Sequence, residues 1–85
     1  MTYRVDWSPD AEDQLANIRV NATDQLAVTR AGDRIDTLLG VMPGRVGESR
    51  SPGVRVVFEP PLAAIYEIIE DDKVVRILRV RDFWF

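Results

Sequence analysis

Apolar and polar positions change period twice along this chain, and each change marks a change of element. From Thr2 to Trp7 they alternate, with Tyr3, Val5 and Trp7 on one side and Thr2, Arg4 and Asp6 on the other, as in a strand with one buried face. A helix is predicted to follow at once. Ser8 can accept from the unpaired N–H groups of the first turn, Pro9 suits the first helical position, and Asp10 and Glu12 face the positive end of the helix dipole. Ala11, Leu15 and Ile18 then recur at helical spacing, while Glu12, Asp13 and Asn17 take the other faces. The pattern breaks between Val20 and Thr23. Asn21 or Thr23 is placed to cap a second helix with apolar positions at Leu26 or Ala27, Ala31, Ile35 and Leu38 or Leu39, closed by Gly40 just past its end and by Pro43.

Val41 to Gly53 is rich in proline, glycine and serine and reads as a loop. Beyond it the period falls to two. Val54 to Phe58, Leu62 to Ile69 and Val74 to Arg81 are dominated by β-branched and aromatic residues, and they are separated by Pro60-Pro61 and Asp71-Asp72. These read as three strands of an antiparallel meander. The first strand is too far away in sequence to form a hairpin with the second, and a helical crossover commonly returns a chain parallel to its starting strand. The predicted fold is α+β: a two-layer β-α-α-β-β-β domain, residues 1–85, with a helical hairpin packed on a mixed four-stranded sheet. Strict alternation in the last strand puts Val75, Ile77, Arg79 and Arg81 on one side and Val74, Arg76, Leu78 and Val80 on the other. Leu78 and Val80 are the preferred core positions, which leaves Arg79 and Arg81 on the open face.

Composition narrows the chemistry. The chain has 85 residues, enough for one domain that buries only about 60% of its unfolded surface, so a roomy internal active site is not expected. It has no cysteine and no histidine, which removes disulfides, thiol nucleophiles, imidazole bases and Cys/His zinc sites. No metal site and no cofactor are expected. No apolar run reaches the roughly 20 residues of a membrane span, and no secretory leader is read, so no membrane role is expected and the cytoplasm is the expected address. Net charge is −3, which disfavours non-specific attraction to nucleic acid. Its distribution is uneven: residues 1–44 hold four basic and seven acidic groups, residues 45–85 seven of each. Of the 11 basic residues only Lys73 is not arginine, and arginine suits planar, bidentate contact with carboxylate or phosphate.

The candidate site follows from these arginines. One registration of the strands gathers Arg55, Tyr66 or Glu67, Arg79 and Arg81 on a concave surface beside the loop that carries Arg45, Glu48 and Arg50. Such a cluster could grip phosphates or an acidic partner, with Tyr66 or Glu67 as a proton carrier. The same residues also fit plain cross-strand ion pairing, Arg55 with Glu67 for example. Phe83-Trp84-Phe85 either caps the core or offers a patch to another chain, with Trp84 as its binding candidate.

The opening Tyr3-Arg-Val-Asp-Trp-Ser-Pro-Asp-Ala-Glu-Asp-Gln-Leu15, the glycine-flanked loop before the second strand, Ile65-Tyr-Glu-Ile68 with its acidic turn, and Val75-Arg-Ile-Leu-Arg-Val80 together resemble the RelE/ParE superfamily of toxins from bacterial type II toxin-antitoxin systems. The resemblance implies a growth inhibitor held in check by a cognate antitoxin and associated with plasmid stabilisation. Its cellular target would be DNA gyrase, inhibited without cleavage, or the ribosome with its messenger RNA, which nuclease members cut. Nuclease members carry an arginine three residues before the strand-three tyrosine, where this chain has Ala63, and basic residues past the last strand, where this chain has Asp82 and Phe83. The main expectation is therefore a toxin that acts by binding, with Arg45, Glu48, Arg50, Arg55, Arg79, Arg81 and Trp84 as binding candidates. The alternatives are a divergent endoribonuclease with Arg55, Tyr66, Arg79 and Arg81 as catalytic candidates, and an inert homologue kept as an interaction domain.

Overall fold

The computed structural model describes residues 2–83. A strand, β1 (Arg4–Trp7), leads through two helices, α1 (Pro9–Asn21) and α2 (Gln25–Val41), into four further strands: β2 (Glu48–Ser51), β3 (Val54–Glu59), β4 (Leu62–Ile69) and β5 (Val74–Asp82). The sheet has five strands in the order β1-β5-β4-β3-β2, with β1 parallel to β5 and the other pairs antiparallel. The two-layer α+β architecture is the expected one; the strand count is not. The additional strand, β2, is Glu-Ser-Arg-Ser with all four residues exposed, so it carries no apolar alternation that a sequence pattern could reveal. Two left-handed glycines frame it instead, Gly47 at φ 75° and Gly53 at φ 79°, and the second closes the turn into β3.

Ser8 caps α1, accepting from Ala11 N–H at 3.1 Å, with Pro9 at the first helical position. The start of α2 corrects the expected cap. Asp24, not Asn21 or Thr23, accepts from Ala27 N–H at 3.0 Å, while Asn21 is the last residue of α1 and donates back to Asn17 O at 2.8 Å. The end of α2 is corrected too. Gly40 lies inside the helix, which runs on to Val41 with Met42 as C-cap. Its carbonyl is taken by Tyr3 N–H at 2.7 Å, so docking on β1 satisfies one of the orphan acceptors at this helix end.

The core lies between the helices and one side of the sheet. Ala11 of α1 and Val28, Ala31, Ile35 and Leu39 of α2 pack against Val57, Leu62, Ala64, Tyr66, Val75, Ile77 and Val80. The pairing of β4 with β5 steps from Tyr66↔Ile77 to Ile65↔Arg79, leaving Leu78 as an extra residue. This β-bulge resets the alternation. Before it, Val75 and Ile77 face the helices; after it, Val80 does. The expectation that Leu78 and Val80 share the core side with Arg76 is therefore corrected: Leu78 is only half-buried, and Arg76 joins Arg79 and Arg81 on the open side.

Candidate binding face

The register sorts the candidate residues onto two sides. Arg55 is the direct cross-strand partner of Tyr66, and both lie on the helix side with core residues Val57 and Ala64. Tyr66 is fully buried, and its hydroxyl lies 2.7 Å from Pro43 O and 2.8 Å from Val46 O. A phenol has one proton, so it is shared between two acceptors. Arg55 donates to the same segment, from Nε to Val46 O at 3.4 Å and from Nη2 to Gly47 O at 3.0 Å. Burial pushes the Tyr66 phenol above its ordinary value, and the Arg55 guanidinium beside it opposes that shift. A tyrosine held this way is locked to the loop before β2 and cannot carry protons for a substrate on the other side of the sheet. Arg55 is likewise committed to carbonyl oxygens, and its expected pairing with Glu67 does not occur.

On the open side the pairings of the five strands form rows. One row runs Asp6, Arg76, Glu67, Val54 across β1, β5, β4 and β3. Its charges balance: Arg76 pairs with Glu67 at 3.4 Å, and Asp6 is held by Arg4 at 3.1 Å. The next row is Arg79, Ile65, Val56, Glu48, and the one after it Arg81, Ala63, Phe58. Neither contains an acid near its arginine, and β1 has ended before either begins. Arg79 and Arg81 are exposed and have no ion-pair or hydrogen-bond partner for their side chains among the described residues. The floor beside them is apolar. Phe58 is 49% exposed, and Phe83 meets it edge to face with ring centroids 5.7 Å apart. The candidate face thus joins an apolar strip to two unpaired guanidinium groups, a combination suited to an anionic, partly apolar partner.

Glu48 shares this side at the far edge, three strand spacings or about 14 Å from β5. Arg50 sits in the irregularity between Ser49 and Ser51, and Arg45 precedes β2; all three are exposed. The structure therefore brings Arg79 and Arg81 together, sets Arg45, Glu48 and Arg50 apart at the opposite edge, and places Arg55 and Tyr66 on the other side. Trp84 lies outside the described residues, as does most of the aromatic run it belongs to. Among the described residues no cluster of carboxylates could hold a metal ion, and no helix is long and apolar enough to cross a membrane.

Comparison with known proteins accounts for this layout. A family model for the ParE toxin of the type II toxin-antitoxin system parDE matches residues 5–82. The chain belongs to the ParE toxin family. Solved structures share the fold of this ParE-family chain. It is similar to a chain of the RelBE2 toxin-antitoxin complex from Mycobacterium tuberculosis, with a TM-score of 0.79 at 21% identity over 96% of this chain and 99% of that one. A chain of the chromosomal ParDE system of P. aeruginosa gives 0.71 at 22% identity, covering 96% and 97% of the two chains. A chain of the archaeal RelE-RelB complex from Pyrococcus horikoshii gives 0.69 at 18%, covering 96% of each. Comparison with curated protein sequences found no match.

Sequence reasoning missed two features of this ParE-family face. Arg76 sits on it, and strict alternation hides that because the bulge at Leu78 leaves no mark in the residue pattern. The second is the bonding of Tyr66 and Arg55 to loop carbonyls. A signal for it existed in Gly47, whose φ of 75° and close approach to β3 make glycine obligatory there.

Proposed function

We propose that this ParE-family toxin acts by binding a cellular target through the open face around Arg79 and Arg81, and that a cognate antitoxin neutralises it by covering the same face. One observation carries the reading: on the open side of the sheet, Arg79 and Arg81 stand unpaired among the described residues beside an apolar floor, while the tyrosine a nuclease would use is buried behind the sheet. Guanidinium groups bind phosphate or carboxylate but are poor proton carriers at neutral pH. Glu67, the carboxylate candidate on the open side of β4, is paired with Arg76. The solved relatives described as a toxin-antitoxin complex and as a ParDE TA system support an antitoxin partner here. DNA gyrase fits the binding mode, and the ribosome with its messenger RNA is the alternative target; either places the action in the cytoplasm.

The test is regulated expression in a bacterial host, with and without the neighbouring reading frame, scoring growth and mapping RNA ends. Arrest relieved by the neighbour, with intact RNA and DNA-damage signalling, is the expected result, and Arg79→Ala combined with Arg81→Ala abolishes it while the protein still folds. New RNA ends within coding sequence would instead establish an endoribonuclease. No arrest, together with no complex between the two products at micromolar concentration, would leave an inert homologue.

A further inference from the structure

β2 is the outermost strand of the sheet, paired with β3 and, among the described residues, with nothing beyond it. Its free edge has a definite phase. Ile68 N–H donates to Gly53 O at 3.2 Å, one step before the Val54↔Glu67 pair, so Arg55, Val57 and Glu59 direct their backbone groups toward β4 while Val54, Val56 and Phe58 direct theirs toward β2. Glu48, opposite Val56, therefore points its backbone groups inward, and Ser49 points its N–H and C=O away from β3. No other element bonds to the Ser49 backbone among the described residues. Glu48 and Arg50 flank it, both exposed and both without an ion-pair partner among the described residues. Arg50 is the extra residue in the pairing of β2 with β3, so it has no cross-strand neighbour in its own sheet. The helices pack chiefly over the other strands, α1 on β1 and β5 and α2 on β1, β3 and β4, which leaves the β2 edge uncovered by either.

We propose that β2 is a self-association edge, on which two copies of this chain pair antiparallel about a twofold axis at Ser49, with Glu48 of each copy opposite Arg50 of the other. A ladder across this edge must bring outward-pointing groups together, so its register moves only in steps of two residues. Centred on Ser49, the two copies exchange a reciprocal pair of N–H to O bonds there, flanked by two pairs of glutamate and arginine. A step either way sets Glu48 against Glu48 or Arg50 against Arg50, and like charges directly opposite repel. The order Glu-Ser-Arg is thus complementary to itself read backward, as a twofold contact requires. A short charged edge discourages pairing with an apolar strand, and this one keeps that protection while admitting its own copy. Pro52 has no N–H and ends the match, so the contact is short and the association reversible and concentration-dependent. It is separate from the open face around Arg79 and Arg81, which lies at the other end of the strand order, and it holds whether or not that face arrests growth.

Sedimentation equilibrium of the full chain between about 10 µM and about 1 mM tests this, a range suited to a contact so small. The mass is expected to rise across it from that of one copy toward that of two. Glu48→Arg and Arg50→Glu each weaken association about tenfold or more, because each sets like charges opposite one another, and thermal unfolding stays unchanged because neither side chain is paired within its own chain. An equimolar mixture of those two variants recovers a dimer with one copy of each, since the edge of one is then basic at both positions and that of the other acidic at both. Ser49→Pro removes the outward N–H, which bonds to nothing in the single chain, and abolishes association. A chain that stays a single copy at every concentration overturns the proposal. So does a dimer that neither charge change weakens, or a mixture that associates no better than either variant alone.

Discussion

The two sides of the central sheet use the same residue type in opposite ways. On the helix side, Arg55 is bound to two carbonyl oxygens of the 43–47 segment and stands opposite a buried tyrosine bound to two as well. On the open side, the Arg79 and Arg81 side chains bond to no acid and no carbonyl among the described residues, and their neighbours on β4 are Ile65 and Ala63. A guanidinium whose donors are spent on backbone fixes a loop. One whose donors are free can meet a partner. The contrast teaches that position relative to the core, rather than arginine content, separates cations bound within the fold from those left open to a partner in this ParE-family toxin, and it can be broken by substitution.

The largest effect is expected at Gly47. A Cβ built there lies 2.3 Å from Val56 O and 3.0 Å from the Tyr66 hydroxyl, in a backbone conformation at φ 75° that L side chains rarely adopt. Gly47→Ala must move β3 backbone or expel the tyrosine, at a cost of about 3 kcal/mol or more, a large share of the 5–15 kcal/mol typical of a domain. Urea denaturation would show it. A loss below about 1 kcal/mol would mean the 43–47 segment is not clasped in solution.

Tyr66→Phe comes next. It keeps the ring in the core and removes only the hydroxyl, leaving Pro43 O and Val46 O short of a donor, for about 1–3 kcal/mol. The effect carries a pH signature. Because the folded phenol titrates above its ordinary 10.0, its contribution is complete below that value and is lost as pH rises through the raised folded value. The gap between wild type and Tyr66→Phe should therefore close in alkali, and a gap that widens there would contradict the assignment.

The comparison is sharpest with one substitution made twice. Arg55→Ala removes bonds to Val46 O and Gly47 O and should cost about 1–2 kcal/mol, partly discounted because the side chain reaches solvent. Arg79→Ala removes no side-chain hydrogen bond or ion pair among the described residues and should change stability by less than about 0.5 kcal/mol. In the growth assay the order reverses. Arg79→Ala loses arrest while staying folded, whereas Arg55→Ala weakens arrest only as far as it lowers the folded fraction. Equal stability losses at the two positions would erase the distinction between the faces.

How much of this was legible beforehand depended on whether a feature leaves a periodic trace. α1 was readable because Ser8, Pro9 and the acids of the first turn each have a local reason to be there. The three long strands showed their buried alternation. β2 did not, since four exposed residues held by backbone pairing look like a loop. Nor did the bulge at Leu78, because inserting one residue into a run of β-branched and basic residues alters the register without altering composition. The open-face position of Arg79 and Arg81 was reached from an unbroken alternation that the bulge in fact interrupts. Arg55 and Tyr66 were paired with the wrong face because nothing in their own strands reveals the loop carbonyls that arrive from residues 43 to 47.

The smallest effect concerns a polar group that is satisfied yet exposed, an intermediate between the two arginine environments. At the turn between β4 and β5, Glu70 Oε1 accepts from Lys73 Nζ at 2.6 Å and from the Tyr3 hydroxyl at 2.7 Å, and Lys73 lies 5.2 Å from the Tyr3 ring centroid. Bonds from Lys73 and Tyr3 hold the Glu70 carboxyl below its ordinary 4.5, while Glu70 in turn raises Tyr3 and Lys73 above theirs. A lowered acid stabilises above its unfolded value and loses that contribution as pH falls through the folded one; the two raised groups contribute below theirs and lose it as pH climbs. The stability difference between wild type and Glu70→Gln should therefore be a low plateau around neutrality that shrinks at both extremes, and salt should flatten it because Glu70 is exposed and Lys73 and Tyr3 are only partly buried. Denaturation midpoints measured across pH for the two proteins test this. A difference that persists unchanged below pH 4.5 would show that β1 is tied to the turn by packing of the Tyr3 ring rather than by the carboxylate.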